Sequence, residues 1–573
     1  MAHVITQSCC NDATCVAVCP ADCIHPTPDE PGYLSAEMLY IDPRLCVDCG
    51  ACIEACPVEA IVPDDELTPA TAVFADLNAE YFDSGPGRAH RRTPTPHPPR
   101  GMGLANLSAA DGRKRGDLRV AIVGSGPSAC YVAQELLSRP VVATVTMFER
   151  LPTPWGLVRA GVAPDHPETK EVVRLFERTV AHPDVTLHLN VEIGRDISHD
   201  ELLAHHDAVI YAVGASSDRR LGVPGEDLPG SHSATDFVAW YNGHPDAAGF
   251  QFDLDTARAV IFGNGNVALD VARILVSDVE DLRRTDVAEH ALDALASSAI
   301  EEVVVVGRRG PAQAAYTTPE LLALQHLPYA DVVVDPAEAQ LDAATAAMLA
   351  DRGEVVAARK AEVVREFAAL GHHRGRRITL RYLRSPLELL GRTKVEAVRI
   401  GCNKLVPDSD GVLRAMPSGE SEVLSCGLVL RSIGYRGTPV PGLPFDSPSG
   451  TLPQRSGRVL DSRTGEPLPG VYAAGWIKRG PSGVIGTNKK CAQETVMALL
   501  EDHEAGRSTR RTGTAESFAS LLAWRRPDAV SGEGWKAIDR AERAGGAAAG
   551  RPRVKLVDRA EMLTVAGVDG RQR

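Results

Sequence analysis

Residues 118–129 read Leu118-Arg119-Val120-Ala121-Ile122-Val123-Gly124-Ser125-Gly126-Pro127-Ser128-Ala129, an apolar strand running straight into a glycine-rich turn and a helix. No other feature constrains the fold as strongly. Two glycines let the backbone turn tightly and bring the next helix's N-terminus up to a pyrophosphate, whose charge the free amides and the helix dipole favour. A second apolar stretch, residues 145–148, delivers Glu149 25 residues after Gly124. There a carboxylate accepts hydrogen bonds from both ribose hydroxyls, which favours an adenosine without a 2'-phosphate. A doubly wound α/β domain follows.

A second cradle lies at Ala259-Val260-Ile261-Phe262-Gly263-Asn264-Gly265-Asn266-Val267-Ala268 and opens another helix. Its ribose position has the opposite charge. After Val303-Val304-Val305-Val306-Gly307 the chain offers Arg308-Arg309-Gly310-Pro311, and two guanidinium groups favour a 2'-phosphate dianion, so this site should prefer NADPH to NADH. The span from Gly263 to Arg308 exceeds the usual twenty or so residues, with charged, helical sequence over 277–298 as an insertion. Between the cradles, residues 207–215 predict a strand at which the chain crosses from one nucleotide domain to the other. Later, Val471-Tyr472-Ala473-Ala474-Gly475-Trp476 leads into Gly480-Pro481-Ser482-Gly483-Val484-Ile485-Gly486, a turn whose backbone amides could close over a flavin ring. Two cradles of opposite ribose chemistry make hydride transfer from NADPH to FAD the expected reaction. Cys130, Cys402, Cys426 and Cys491 are isolated, with no C-x-x-C near these motifs, which disfavours a disulfide-reductase mechanism.

Nine of the thirteen cysteines fall before residue 57. Cys46-x-x-Cys49-x-x-Cys52-x-x-x-Cys56-Pro57 has the spacing of bacterial iron–sulfur ligation, and Cys9-x-x-Asp12-x-x-Cys15-x-x-x-Cys19-Pro20 repeats it with Asp12 at one ligand position. A zinc ribbon would need paired C-x-x-C units farther apart. By the crossover of the fourth cysteine, Cys19, Cys46, Cys49 and Cys52 hold a 4Fe-4S cluster while Cys9, Cys15 and Cys56 hold a second cluster. Three thiolates leave one iron without sulfur: either that iron is absent, giving 3Fe-4S, or the Asp12 carboxylate fills its place. Resemblance to the seven-iron ferredoxins of actinobacteria favours the three-iron form, although only five residues separate Cys9 from Cys15 where those ferredoxins usually have seven. Cys10 and Cys23 are left over, Cys10 exposed or packed and Cys23 near a cluster.

Residues 1–65 carry eleven acids against Arg44 alone, so most of the net charge of −14 sits there, and nucleic acid is not an expected partner. There is no apolar run of 18 residues and no signal-peptide pattern at the start. A cytoplasmic protein without membrane insertion is expected. Its 573 residues suffice for about three domains. Residues 66–117, rich in proline, arginine and glycine, read as a linker with some helix up to Glu80. A coil of that length reaches roughly 40 Å and would tether the acidic module without fixing one pose. A tethered module needs no partner chain, which favours a monomer.

Residues 118–573 resemble the adrenodoxin-reductase-like ferredoxin-NADP reductases, and the fused N-terminal module resembles the arrangement of the actinobacterial, mycobacterial-type members. The resemblance rests on Pro154-Trp155-Gly156-Leu157-Val158-Arg159, Ala163-Pro164-Asp165-His166-Pro167, the Gly263–Arg273 run, Gly307-Arg308-Arg309-Gly310-Pro311 and the 475–488 turn. It implies two Rossmann-like domains of glutathione-reductase type preceded by a small α+β ferredoxin domain at 1–65. The FAD domain would span 118–217 and 433–573, and the NADP domain 218–432. It implies FAD contacts at Ser125, Gly126, Pro127, Glu149, Leu157, Trp476, Gly483, Val484 and Ile485. NADP contacts are implied at Arg219, Asn264, Gly265, Asn266, Val267, Arg308, Arg309, Glu320 and Gly483. His166 matches a histidine near the flavin that would shape hydride transfer or proton balance. Some members place a glutamate three residues beyond Glu320; here that position is Ala323, so a His–Glu pair built on it is not expected.

The implied activity is that of a ferredoxin-NADP oxidoreductase in which electrons leave FAD singly for the fused clusters, an external ferredoxin, or another acceptor such as a monooxygenase system. Two other readings fit the sequence less well. One is the electron-input subunit of a larger flavoprotein complex, which a tight stoichiometric partner would reveal. The other is a redox sensor without turnover, which sustained NADPH-driven dye reduction would exclude.

Overall fold

The computed structural model describes residues 2–83, 118–139, 143–352, 354–371, 374–509 and 511–568. The cysteine repeat is a repeat of backbone as well. Strand β1 (His3–Ile5), helix α1 (Thr14–Val18) and β2 (Ile24–His25) are echoed by β3 (Tyr40–Ile41), α2 (Ala51–Ala55) and β4 (Ile61–Pro63). β1 pairs antiparallel with β4 and β2 with β3. Each short helix is entered through a left-handed residue, Ala13 or Gly50, and ends on an extended cysteine, Cys19 or Cys56. The same left-handed turns recur at Asn11 and Asp48 and at Asp22 and Glu59.

Helix α3 (Val73–Asp83) lies within the segment read as linker, yet it completes this module's core. Asn78 is buried and acts as a clamp: its Oδ1 accepts from the amides of Ile5 (3.3 Å) and Ile41 (2.8 Å), and its Nδ2 donates to Ile5 O (2.9 Å) and Phe74 O (2.7 Å). Tyr81 stacks on Tyr40 at 4.2 Å between ring centroids. The proline–arginine run at 91–101 lies outside the described residues.

The first nucleotide-binding unit is an eight-stranded sheet built on β5 (Leu118–Val123), helix α4 (Pro127–Ser138), β6 (Ala143–Glu149), β7 (Val185–Leu189) and β8 (Ala208–Tyr211). β8, β5, β6 and β7 run parallel in that order. Five of the six residues of β5 are buried, as a strand covered on both faces requires.

The second sheet has six strands, all parallel. It contains β9 (Ser231–Ser233), β10 (Arg258–Phe262), β11 (Glu302–Val306), β12 (Ala330–Val334), β13 (Arg376–Arg381) and β17 (Leu428–Arg431), in the order β9-β17-β10-β11-β13-β12. Helices α5 (Asn266–Val276) and α6 (Thr318–Ala323) belong to this unit. The insertion after α5 folds as two short helices, Val279–Leu282 and Glu289–Ala296. Before β17 the chain makes an antiparallel three-stranded sheet of β14 (Arg384–Leu390), β15 (Ala397–Pro407) and β16 (Leu413–Ser425).

The chain then returns to the first sheet through β18 (Gln454–Arg455), β19 (Arg458–Leu460) and β20 (Pro467–Ala473), with β20 parallel to β8. Helix α7 (Thr487–Glu504) follows the 475–486 turn. The C-terminal stretch adds β21 (Val530–Ser531) antiparallel to β7, then helix α8 (Gly532–Ala549). The Glu542 carboxylate on α8 is buried between Arg159 (2.5 Å) and Arg553 (2.9 Å). No helix among the described residues is long and apolar enough to cross a membrane.

Candidate nucleotide cleft and iron–sulfur sites

Gly124 and Gly263 hold the same place in the two sheets. Each has positive φ, 111° and 116°, and a Cβ would meet a neighbouring carbonyl oxygen, Ala212 O at 2.5 Å or Ser432 O at 2.0 Å. Only glycine satisfies both constraints. Gly126 and Gly265 then cap α4 and α5 in extended backbone with no side-chain cap, leaving the first amides of each helix free for an anion.

Around the first cradle, Ser125 Oγ donates to Glu149 Oε2 (2.8 Å), while Glu149 Oε1 accepts from the Leu151 amide (3.1 Å). This fixes the carboxylate beside the glycine turn. The Pro-Trp-Gly loop folds back on the same spot: Trp155 N donates to Ser125 O (3.2 Å), and a Cβ on Gly156 would lie 3.1 Å from Gly126 Cα. Trp155 is buried with φ of 82°, a left-handed conformation that costs a bulky residue energy. Leu157 begins the short helix directly after this contact. From the other side, a Cβ on Gly475 would lie 2.0 Å from Ser128 Oγ, which donates to Asn488 Oδ1 (2.8 Å). The Gly483-Val484-Ile485 turn is pinned by Thr487 Oγ1 donating to Val484 O (2.7 Å) and Asn488 Nδ2 to Ile485 O (2.9 Å). Trp476 packs on Tyr435, ring centroids 5.4 Å apart.

Around the second cradle, Asn264 O accepts from the Tyr316 amide (2.9 Å) and Asn266 Oδ1 from the Thr317 amide (2.8 Å), which ties Gly265 and Val267 to the N-terminus of α6. Arg308 is exposed and Arg309 half-buried. Among the described residues, neither guanidinium is recorded with a hydrogen bond or ion pair. Burial, with Arg308 and Arg414 nearby, pulls the Arg309 pKa below the usual arginine range. Uncompensated positive charge of this kind is what a 2'-phosphate would neutralise. Arg219 is exposed at the crossing between the sheets, its amide on Gly434 O (3.3 Å).

His166 and Glu320 meet in one half-buried network centred on the buried Arg273 of α5. Arg273 reaches Asp165 (2.9 Å), Asp270 (2.7 Å) and Glu320 (3.1 Å), and its Nη2 also contacts His166 Nε2. His166 Nε2 lies 3.5 Å from Asp270 and 3.6 Å from Glu320. Burial works against the imidazolium, but the hydrogen bond to Asp270 and the charges of Glu320 and Asp165 raise the His166 pKa. Burial raises the Glu320 pKa despite Arg273 and His166. With Ala323 on α6 unable to pair with His166, the carboxylates nearest its Nε2 are Glu320, one turn earlier on α6, and Asp270 on α5. His166, Asp270 and Glu320 also have the spacing of a cation site, but the Arg273 guanidinium already supplies the positive charge among them.

The cysteines separate into two cavities. Cys19, Cys46, Cys49 and Cys52 line one, together with His3 and Cys23. Cys9, Cys15 and Cys56 line the other, together with Cys10 and Asp12. Burial pushes the Cys9 and Cys52 thiols up to about 12, so these two ionise only beside a bound cation, and iron fits that requirement. Cys23 Sγ lies 3.4 Å from Cys19 Sγ. Asp12 Oδ1 accepts from the Thr14 amide (3.0 Å), Oδ2 accepts from Thr14 Oγ1, and Lys489 Nζ stands 3.7 Å away.

The module is docked, contrary to the expectation of a tether without one pose. Lys360 pairs with Glu37 (2.6 Å), Lys490 with Asp29 (3.1 Å) and Arg174 with Glu59 (3.4 Å). The Thr318 amide donates to Glu37 Oε2 (2.8 Å), and Gln7 Nε2 donates to Glu320 Oε2 (3.2 Å). The acidic surface was legible in the sequence; its basic counterpart is scattered over 174–490 and had no local signal.

Two family models match, the 4Fe-4S binding domain over residues 39–62 and the pyridine nucleotide-disulphide oxidoreductase over 118–309. The chain is 50% identical over 578 residues to the "Probable ferredoxin/ferredoxin--NADP reductase" of Mycobacterium tuberculosis, covering 99% of this chain and 95% of the relative. It is 41% identical to the mitochondrial NADPH:adrenodoxin oxidoreductase of Salvelinus fontinalis, over 78% of this chain and 91% of that one. Among solved structures, "Mycobacterium tuberculosis FprA in complex with NADPH" superposes with a TM-score of 0.74 at 49% identity, covering 78% of this chain and 99% of that chain.

Proposed function

The chain belongs to the ferredoxin/ferredoxin–NADP reductase family, and on that premise we propose how its residues divide the work of an FAD-dependent NADPH:ferredoxin oxidoreductase. Bound FAD supplies a two-electron acceptor that releases electrons singly, which nicotinamide cannot do, and bound clusters supply one-electron centres. The chain supplies position and charge.

Ser125, Gly126 and Pro127 would receive the FAD pyrophosphate at the start of α4, with Glu149 at the ribose. Leu157, Trp476, Gly483, Val484 and Ile485 would enclose the ring. Asn264, Gly265, Asn266 and Val267 would receive the NADP pyrophosphate, with Arg308 and Arg309 on the 2'-phosphate and Arg219, Glu320 and Gly483 as further contacts to NADP. His166, held between carboxylates and Arg273, would hold or pass a proton near the cleft, and no side chain acts as a nucleophile. Cys19, Cys46, Cys49 and Cys52 would hold 4Fe-4S. Both Asp12 oxygens are engaged by Thr14, which supports a three-iron cluster at Cys9, Cys15 and Cys56. The external acceptor is a ferredoxin or a comparable one-electron carrier such as that of a monooxygenase system, and the protein works as a cytoplasmic monomer.

The observation that carries this reading is the contrast in charge between the two ribose positions, a fixed carboxylate at Glu149 and, at Arg308 and Arg309, guanidiniums with no acidic partner among the described residues. An anaerobic NADPH titration of the cluster-loaded protein, followed by absorbance and EPR, tests it. Flavin bleaching followed by reduction of at least one cluster is expected. A flavin that stays oxidised at stoichiometric NADPH refutes it.

A further inference from the structure

We propose that the two iron–sulfur centres act in series: the Cys9/Cys15/Cys56 site takes electrons from the reductase, and the Cys19/Cys46/Cys49/Cys52 site releases them to an external acceptor at an acidic rim around Val47. This rests on the NADPH-to-cluster reading above.

The first site lies against the reductase backbone. The Cys10 carbonyl accepts from the Gly486 amide at 2.7 Å, immediately after the 483–485 turn assigned to the flavin. A Cβ on Gly486 would lie 2.2 Å from both the Asn11 carbonyl carbon and the Asp12 nitrogen. Lys489 Nζ donates to Asp12 O (3.1 Å) and Thr14 Oγ1 (3.3 Å). Cys10 and Val58 belong to the same apolar core as Tyr131 and Trp155 of the first sheet unit.

The second site reaches solvent. Cys49 is exposed and Val47 is 63% exposed. Among the described residues, the recorded polar contacts of Cys46 and Asp48 stay within the module, to His3 and Asp42. The sites are bridged by the module's own helices: Cys15 lies in α1, which ends at Cys19, and Cys52 lies in α2, which ends at Cys56. Gly486, at the end of the 483–486 turn, is buried beneath Asn11 and Asp12 of the docked module, so the module occupies this end of the turn in place of a separate acceptor.

Oxidation of one NADPH to NADP+ and a proton provides two electrons, so two one-electron acceptors are reduced per NADPH. Two exposed carboxylates lie close in sequence to the ligands of this site, Asp48 between Val47 and Cys49, and Glu54 two residues after Cys52. They suit an acceptor with a basic rim, whose encounter should weaken with salt.

The test uses the full-length holoenzyme. Dysprosium–EDTA in solution should relax the EPR signal of the Cys46/Cys49/Cys52 cluster, identified as the signal altered by Cys49→Ser, and leave the other signal unchanged. Equal relaxation of both overturns the proposal. In rapid mixing with NADPH, the Glu54→Lys variant should keep wild-type rates of flavin bleaching and cluster reduction. It should reduce cytochrome c about tenfold more slowly at low salt, the size expected for reversing a rim charge against a basic protein. Undiminished cytochrome c reduction overturns the series. A flavin that NADPH fails to bleach in wild type would instead sink the parent reading. If Cys49→Ser does not fold, the charge-reversal arm decides alone.

Discussion

Replacing Arg309 by alanine should remove most of the preference for NADPH over NADH. The guanidinium is half-buried beside Arg308, and burial together with its cationic neighbours already pulls its pKa down. No carboxylate among the described residues is recorded as its partner, so its positive charge is available to the 2'-phosphate. A hydrogen bond to a charged group contributes about 1.5–3 kcal/mol, so its loss should lower kcat/KM for NADPH roughly 10- to 150-fold. NADH has no 2'-phosphate and should be used as before. Arg308 is exposed, and the same change there should cost only about 1 kcal/mol, or roughly fivefold. Arg414 is an internal control: it is also near Arg309 but is paired with Asp408 at 2.7 Å, so Arg414→Ala should leave the ratio within about twofold. The assay is steady-state ferricyanide reduction with each nucleotide. Equal losses for NADPH and NADH in Arg309→Ala would mean that Arg309 supports the fold rather than reading the phosphate.

Glu542→Ala should lower the thermal unfolding midpoint sharply, because Arg159 and Arg553 would lose the buried carboxylate between them; a cost of about 3–5 kcal/mol is expected, and a shift within error by calorimetry would contradict it. The His206 ring is buried against Phe518, and burial lowers its pKa from 6.5 to about 4. The unfolded chain therefore takes up a proton that the folded chain refuses. This withdraws up to about 3 kcal/mol of stability as pH falls from 6.5 to 4, and His206→Phe should make the melting midpoint fall less steeply over that window, the remaining slope coming from other buried histidines such as His244. Asp12→Cys should supply the missing thiolate and add one iron per chain, measured by iron assay together with EPR; unchanged iron content would count against a three-iron site.

What could be read from the sequence was what short-range chemistry encodes. Gly124, Gly126 and Glu149 had to be close because a strand, a turn and a second strand can only place them so, and Ser125 Oγ on Glu149 at 2.8 Å is the result. The cysteine repeat was legible for the same reason: its spacing sets which thiols share a cavity, whatever the rest of the chain does. The C-terminal additions were not legible. Val530 and Ser531 pair with β7 although nothing local marks two residues as an edge strand, and Glu542 looks like any acid on a solvated helix until Arg159, nearly four hundred residues earlier, is placed beside it. Docking of the acidic module was half legible. Eleven acids in 65 residues announce a charged surface, but a flexible linker argues for many poses. The single pose depends on Gly486, where a missing Cβ lets the Cys10 backbone approach to hydrogen-bonding distance. A glycine in a glycine-rich turn carries two meanings, freedom for its own backbone and room for another chain segment, and only the second selects this pose. Gly486 is not left-handed, unlike Gly483 three residues earlier. Its glycine therefore serves the contact with the module rather than the turn, and the turn that closes the flavin side of the cleft also fixes the module against it.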